Sequence, residues 1–479
     1  MYLGLDLGTS GLKGLVIDAD GAAVAEASAP LSVARPHPGW SEQDPADWIR
    51  AAETILRALA AQIDMGAIAG IGLSGQMHGA TALDSADQVL RPCILWNDTR
   101  ARDAAAKLDA DPRFREISGN IVFPGFTAPK LVWMAQHEPV LFARVAKVLL
   151  PKDYLRLWLT GAHVAEMSDA AGTSWLDVGA RDWSDALLTA SGMRRDQMPE
   201  LVEGSSPSGG LRAGLAQEFG LAPGIPVAGG AGDNAATAIG LGVARAGQGF
   251  VSLGTSGVLF AATEGYAPAP ETAVHTFCHA LPGTWHQMGV ILAATDALNW
   301  FAQIAGTSPA DLTRALGPLQ PPGRTLFLPY LGGERTPLND ASIRGAFIGL
   351  DHATDRMAAT RAVLEGVVFA LKDCQQALGA TGTRLDSLLA AGGGAQSDYW
   401  LKALATALGL QVQAPAGDGL GAALGAARLG LMAATGAGVA AMPPPPIARS
   451  FDPDPALRAA FDAGYQRYIA ARTAIKDLT

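Results

Sequence analysis

The sequence predicts an α/β protein made of two related halves that face each other across a cleft. Three observations carry that prediction. The string Leu-Gly-Thr-Ser-Gly occurs twice, at 7–11 and 253–257, each time after an apolar strand whose last position is small or acidic. Short apolar runs bounded by glycine alternate with helical stripes. At 49% hydrophobic and 17% charged residues, the chain can bury a full core, which excludes disorder.

The elements follow in order. Residues 2–6 and 14–18 are apolar runs joined by Leu7-Gly8-Thr9-Ser10-Gly11-Leu12-Lys13, a hairpin signal, and a third strand covers 23–27. Residues 45–63 place Trp48, Ile49, Ala52, Ile55, Leu56, Leu59 and Ile63 on one helical stripe, with Pro45 near its start, where a missing N–H costs nothing. A strand follows at 68–73. The same grammar restarts near 249 with Phe250-Val251-Ser252-Leu253, the glycine turn and Val258-Leu259-Phe260. Further on come a strand at 324–331, a long helix at 356–378, a strand at 385–390 entering Gly392-Gly393-Gly394, and a helix from about 397. A helix of small residues spans 419–433, with Asp418 as its N-cap. The proline run 443–446 breaks the chain before a terminal helix at 455–473. The division is placed at 1–243 and 244–479, and which half the segment 443–479 packs on is left open.

Composition narrows the function. With 35 Lys+Arg against 45 Asp+Glu the formal charge is −10, which argues against a dedicated nucleic-acid binder. Cys93, Cys278 and Cys374 are far apart and form no C-x-x-C pair, so a reducing compartment is the default. No basic segment precedes an apolar run at the N-terminus, and the Gly/Ala-rich stretch near 419–442 contains Arg428, so a soluble, cytoplasmic protein with no membrane span is expected. There is no G-x-x-x-x-G-K-[ST], no H-R-D with D-F-G and no G-x-S-x-G.

Several segments can carry chemistry. Asp6 ends the first strand beside a turn whose backbone N–H groups (Gly8, Thr9, Ser10, Gly11) can face a phosphate, with hydroxyl donors from Thr9 and Ser10 and a cation from Lys13. A carboxylate beside a phosphate cradle makes sense if Mg²⁺ lies between them; the alternative is a plain hairpin with a solvated Asp. Gly229-Gly230-Ala231-Gly232-Asp233-Asn234 sets a carboxylate at a glycine loop and helix start, as a general base or as a cap. Gln76-Met77-His78-Gly79 follows a strand end, where α/β folds place ligands; His78 is either a polyol contact or a satisfied loop histidine. Trp96-Asn97-Asp98-Thr99-Arg100 suits a sugar, or a capped helix start. Gly392-Gly393-Gly394 admits a base or ribose, or is a tight turn. His275, Cys278 and His279 lack a fourth ligand and read as strand, so no metal is assigned to them. Taken together, the two hairpins, the third glycine loop and the strand-end aspartates describe an ATP site closed between two lobes.

These residues resemble the FGGY family of carbohydrate kinases, in the superfamily of duplicated ribonuclease H-like domains that includes actin and hexokinase. Residues 125–134, Gly-Phe-Thr-Ala-Pro-Lys-Leu-Val-Trp-Met, resemble the family's first signature; 345–350 followed by 361–366 resemble the second. The segments 74–79, 96–100 and 150–154 are similar to those of members acting on ketopentoses, whereas glycerol-specific members carry Arg-Glu where Met77-His78 stands. The resemblance implies two actin/hexokinase-type domains around a cleft for ATP and sugar, the first sugar-binding and the second nucleotide-binding. It implies Asp6 as the Mg²⁺-organising aspartate, and Gly8, Thr9, Ser10, Lys13, Gly254 and Thr255 at the phosphates. Gly393, Gly394 and Asp398 fall at adenosine, and Met77, His78, Trp96, Asp233 and Asn234 at the sugar. The implied reaction is phosphorylation of D-xylulose at its C5 hydroxyl by Mg·ATP with Asp233 as general base, with a homodimer common among relatives. The rivals are a kinase for ribulose, ribitol or gluconate, and an actin-like nucleotide switch with no small-molecule acceptor.

Overall fold

The computed structural model describes residues 1–417 and 421–476. The chain begins with strands β1 (Tyr2–Leu7), β2 (Gly11–Ile17) and β3 (Ala23–Pro30) as an antiparallel meander. Helix α1 (Pro45–Ala60) has Pro45 in its first turn and Asp44 as N-cap, its side chain accepting from the Ala46 N–H; it buries Trp48, Ala52, Ile55, Leu56 and Leu59. Strand β4 (Gly70–Gly75) then lies parallel to β1. Helices α2 (Thr127–His137) and α3 (Pro151–Thr160) follow, then β5 (Pro207–Gly210), β6 (Pro226–Ala228), β7 (Ala231–Gly232) and α4 (Asp233–Leu241). The first sheet runs β5-β6-β4-β1-β2-β3, with β7 also paired to β4.

The second sheet repeats this plan. Strands β8 (Gly247–Leu253) and β9 (Gly257–Thr263) form the second hairpin, and β10 (His275–Cys278) and β11 (Trp285–Ile291) extend it. After α5 (Thr295–Ile304) and the long α6 (Arg356–Ala380) comes β12 (Leu385–Ala391), parallel to β8 as β4 is to β1. Then come α7 (Asp398–Leu408), β13 (Gln411–Pro415), α8 (Ala422–Thr435), β14 (Ile447–Phe451) and α9 (Arg458–Ile475). The sheet order is β10-β11-β9-β8-β12-β13-β14. Both sheets thus carry a meander followed by parallel strands, as the repeated pentapeptide predicts. In the second copy Ser252 takes the place of Asp6, so only one hairpin carries a carboxylate.

Some expectations changed. The strand expected at 324–331 shrinks to Leu326–Leu328, a short pair with Ala346–Ile348. Strand β14, just past the proline run, was not anticipated: prolines hid its start, and it finds its partner only in β13. Asp418 and the start of the helix expected from 419 lie outside the described residues; α8 begins at Ala422. That helix lies in sequence between β13 and β14 of the second sheet yet packs across β1, β4 and α4 of the first. The tail is settled the other way: β14 joins the second sheet, and α9 buries Phe461, Tyr465 and Tyr468 in the second core.

Candidate active site

Sheet register brings the two aspartates to one place. Asp6 of β1 and Ala231 of β7 both pair with Ser74 of β4, one on each side. Strands lie about 4.8 Å apart, so Asp6 and Ala231 sit about 10 Å apart at one end of the sheet, and Asp233 follows two residues later. Asp233 opens α4 after the N-cap Gly232. Its Oδ1 accepts from the Asn234 N–H (2.7 Å) and from Asn234 Nδ2 (2.9 Å), and Oδ2 has no partner among the described residues. Burial pushes its carboxyl up to about 6; the nearby Asp6 charge adds to this, and the Asn234 donors pull it back. Asp6 is itself raised, chiefly by burial, with Ser74 and the Lys13 ammonium opposing. The two carboxylates therefore feel one another across a shared space.

The loop carrying Asp233 is held from below by a fully buried ionic cluster. Lys152 Nζ meets Asp153 (2.8 Å), Asp169 (2.9 Å) and Glu166 (3.2 Å). Arg156 pairs with Asp153 (2.6 Å) and donates to the Gly229 carbonyl, while the Gly232 N–H donates to Ser168 Oγ (3.1 Å). None of these braces was picked out from sequence; only Lys152 and Asp153 lay in a quoted motif.

The first hairpin departs from expectation in its side chains. The Gly8 N–H donates to the Gly11 carbonyl (2.9 Å), closing the turn, so it does not face a ligand. Thr9 Oγ1 donates to Gln76 Oε1 (3.0 Å) and accepts from the Trp96 indole N–H (3.0 Å). Gln76 Nε2 donates to Gln43 Oε1 (2.9 Å), and Gln43 Nε2 returns to the Thr9 carbonyl (2.7 Å). A hydroxyl has one proton to give, so Thr9 cannot also donate to a phosphate. Ser10 stays exposed at the tip, and Lys13 pairs with Glu26 (3.1 Å) while its charge still reaches Asp6. In the second hairpin, the Gly254 carbonyl accepts from the N–H and hydroxyl of Thr295 (both 2.8 Å) and the Thr255 carbonyl from the Ala294 N–H (2.8 Å). This fixes the loop from behind and leaves Thr255 exposed.

Beyond Asp233 the cleft gathers Met77, His78 and Trp96. Met77 is buried against the loop at Gly232 and Gly172. His78 stacks on Phe126 (4.4 Å, 18°), and its Nδ1 lies 2.7 Å from the Gly172 carbonyl. A carbonyl only accepts, so Nδ1 carries the proton; burial lowers the imidazole to about 3, leaving Nε2 an unprotonated acceptor. The signature lysine, Lys130, donates to the carbonyls of His78 and Gly125 (2.7 Å each), and burial brings it down to about 7. Trp96 is 47% exposed, but the charged members of 96–100 are spent internally: buried Asp98 holds Arg100 (2.7 Å), which lies over Trp40 (3.5 Å). Those charges are structural, not sugar contacts.

At the other end, Gly393, Gly394 and Asp398 line a cavity of about 770 Å³ together with Thr295, Asn299 and Tyr399. A Cβ on Gly394 would stand 2.7 Å from that of Leu253, so the loop lies directly on the second hairpin. Asp398 is ion-paired with Arg449 at the rim. An adjoining cavity of about 380 Å³ is lined by Leu241, the last residue of α4, along with Gly392 and Gly393. Nine residues of α4, about 13 Å, thus connect Asp233 to the glycine loop of the second half. His279 has both ring nitrogens engaged, by the Val243 carbonyl (3.1 Å) and the Ala280 N–H (2.8 Å).

Comparison with known proteins places this geometry. The N-terminal domain of the FGGY family of carbohydrate kinases matches residues 1–240, and its C-terminal domain matches 249–434. The chain is 48% identical over 466 residues to a xylulose kinase of Escherichia coli (strain K12), covering 96% of each protein. A crystal structure of a xyloylose kinase from Brucella ovis is 60% identical and superposes over 100% of both chains with a TM-score of 0.98. A gluconate kinase from Lactobacillus acidophilus, 26% identical, superposes over 99% of this chain and 97% of its own with a TM-score of 0.93. With both domain matches spanning the two duplicated sheets that build the cleft, the chain belongs to the FGGY family of carbohydrate kinases.

Proposed function

We propose that this carbohydrate kinase transfers the γ-phosphoryl group of ATP to the C5 hydroxyl of D-xylulose, with Asp233 as general base. The observation that carries the reading is Asp233 itself: a carboxylate with one free oxygen, raised by burial to about 6, in electrostatic contact with Asp6 at the end of the sheet. A base with that affinity is ionised near neutral pH and still basic enough to take a hydroxyl proton in the transition state. The xylulose kinases among its relatives support D-xylulose as acceptor.

In the reaction, the C5 oxygen attacks the γ-phosphorus, the bond to the β,γ-bridging oxygen breaks, ADP leaves and the hydroxyl proton passes to Asp233 Oδ2. Free backbone N–H groups at Thr9 and Ser10 and around Thr255 would cradle the phosphates from opposite sides. His78 Nε2 would accept from a sugar hydroxyl, with Met77, Asn234 and the exposed face of Trp96 as further sugar contacts. Gly393, Gly394 and the large cavity beside them would take the adenosine. The donor set fits Mg²⁺: the ion takes oxygen ligands and is held by one or two carboxylates plus substrate phosphates, and Asp6 offers a carboxylate beside the first hairpin. Bound there, Mg²⁺ would neutralise phosphate charge. The boundary at 243/244 belongs to this reading as the crossing between sugar-binding and nucleotide-binding lobes, with α8 returning to the first.

The experiment is a coupled ATP assay against D-xylulose, ribulose, ribitol and gluconate, with wild type and Asp233→Ala. Wild type is expected to prefer D-xylulose, and the variant to lose at least a thousandfold in kcat while retaining nucleotide binding. Near-normal turnover by the variant removes Asp233 as base, and preference for another acceptor replaces D-xylulose.

A further inference from the structure

Arg335 is a guanidinium with no carboxylate partner among the described residues, held where the two halves meet. Its backbone is clamped: the neighbouring Thr336 N–H donates to the Val290 carbonyl (3.0 Å), Thr336 Oγ1 donates to the Ala273 carbonyl (2.9 Å), and Thr336 Oγ1 also accepts from the Val290 N–H (3.1 Å). The side chain, supplied by the second half, crosses to the first. Its guanidinium lies over the Phe123 ring (4.8 Å), and Nη1 stands 3.5 Å from His275 Nε2. His275 packs against Phe126 (5.9 Å), and Phe126 stacks on His78. Arg335 and His78 are both enclosed yet partly reached by solvent, as groups lining a cleft are.

Among the described residues the opposite charge that reaches this cation is that of the adjacent Glu334, which forms no salt bridge with it. Its charge acts on His78 and on His275, both held neutral. The adjacent Glu334 turns its Oε1 to the Leu292 and Arg335 N–H groups, and burial lifts its carboxyl to about 8. Lys130 is the other cation whose charge reaches His78. The cleft is therefore polarised, with two carboxylates at the transfer end and an unpaired guanidinium beyond His78. A buried unpaired charge is costly unless a partner arrives.

Resting on the sugar-kinase reading, we propose that Arg335 is a substrate-binding residue that orients the acceptor, its fork gripping a pair of adjacent oxygens at the end of an open-chain sugar remote from the phosphorylated hydroxyl. Two sources supply such a pair: the C1 hydroxyl and C2 carbonyl of a ketose, or the carboxylate of an aldonic acid. Both match a planar fork better than a plain polyol does. The grip decides which end of the sugar meets Asp233.

The test compares wild type with Arg335→Met and Arg335→Lys on D-xylulose, D-gluconate and xylitol, which lacks both paired-oxygen groups. The readout is kcat/KM for each acid or ketose relative to xylitol, with the KM for ATP as control. Arg335→Met is expected to lower the ratio about ten- to a hundredfold for whichever acceptor uses the fork, chiefly through sugar KM, with ATP KM unchanged; Arg335→Lys should recover part of it. A fall for D-xylulose alone assigns the ketone, and for gluconate alone the carboxylate. Equal loss on all three acceptors, or no loss, overturns the proposal and leaves Arg335 a structural bridge. If Arg335→Met fails to fold, Arg335→Lys gives the same ratio, and an unchanged ratio there overturns the proposal. A wild type inactive on D-xylulose refutes the functional reading, while the gluconate-to-xylitol ratio still tests the fork.

Discussion

Thr9 shows how a side chain's chemistry is decided by where its proton goes. Its hydroxyl ties Trp96 to Gln76, and through Gln43 the bonds return to its own carbonyl. Gln76 immediately precedes Met77 and His78, so this ring fastens the first hairpin to the start of the loop that carries His78. Gln76→Leu should break the ring and leave the Thr9 hydroxyl without its acceptor, while Gln43 keeps the Trp48 indole N–H (3.1 Å). Steady-state kinetics are expected to show the ATP KM rising about three- to tenfold, the range of one lost buried hydrogen bond, with sugar KM less affected. Asp233 makes the second prediction at this scale. On the proposed reaction the active form is the carboxylate, whose affinity for a proton is raised, so activity should fall as pH drops through the raised value. The pH profile of kcat/KM should have an acid limb near 6, about two units above that of an unperturbed aspartate.

Among the elements, α8 shows how small residues earn close packing. A Cβ on Gly72 would stand 1.7 Å from the Ala426 carbonyl oxygen, and one on Gly425 would stand 1.8 Å from that of Ala236. Backbone thus meets backbone where α8 crosses β4 and α4, the strand and helix that lead to Ser74 and Asp233. Gly72→Ala should cost about 3 kcal/mol or more and weaken both sheet and site. Gly214, in the helix Ala213–Phe219 with open space around it, is the control: Gly214→Ala should be neutral or gain up to about 1 kcal/mol. Thermal and denaturant unfolding of the two variants measures the difference.

On the scale of the whole molecule, two copies of one sheet plan set two hairpins at the cleft, and contacts away from the hairpins join the halves. Asn120 makes a double hydrogen bond to the backbone of Thr276 (3.0 Å each), and Arg428 on α8 donates to the carbonyls of Ile239 (3.1 Å) and Gly240 (3.2 Å). No helix among the described residues is long and apolar enough to cross a membrane. The three cysteines are buried, and burial raises each thiol, Cys93 to about 11.

The duplication, the glycine hairpins, α1 and β12 were legible in the chain itself, because each rests on local spacing: a turn needs its glycines and a helix its stripe; the family was legible only through the resemblance of its motifs. Asp6, His78 and Asp233 were legible as candidates for the same reason, since strand ends and helix starts announce themselves in residue type. What spacing could not carry was every choice made across the fold. That the Thr9 hydroxyl is spent on Gln76, that Arg100 also pairs with Glu42, that α8 returns to the first sheet, and that Arg335 reaches Phe123 with no salt-bridge partner among the described residues all depend on residues tens to hundreds of positions apart. A hydrogen bond or a desolvated charge is a property of what surrounds a group in space, and only the packed chain decides that.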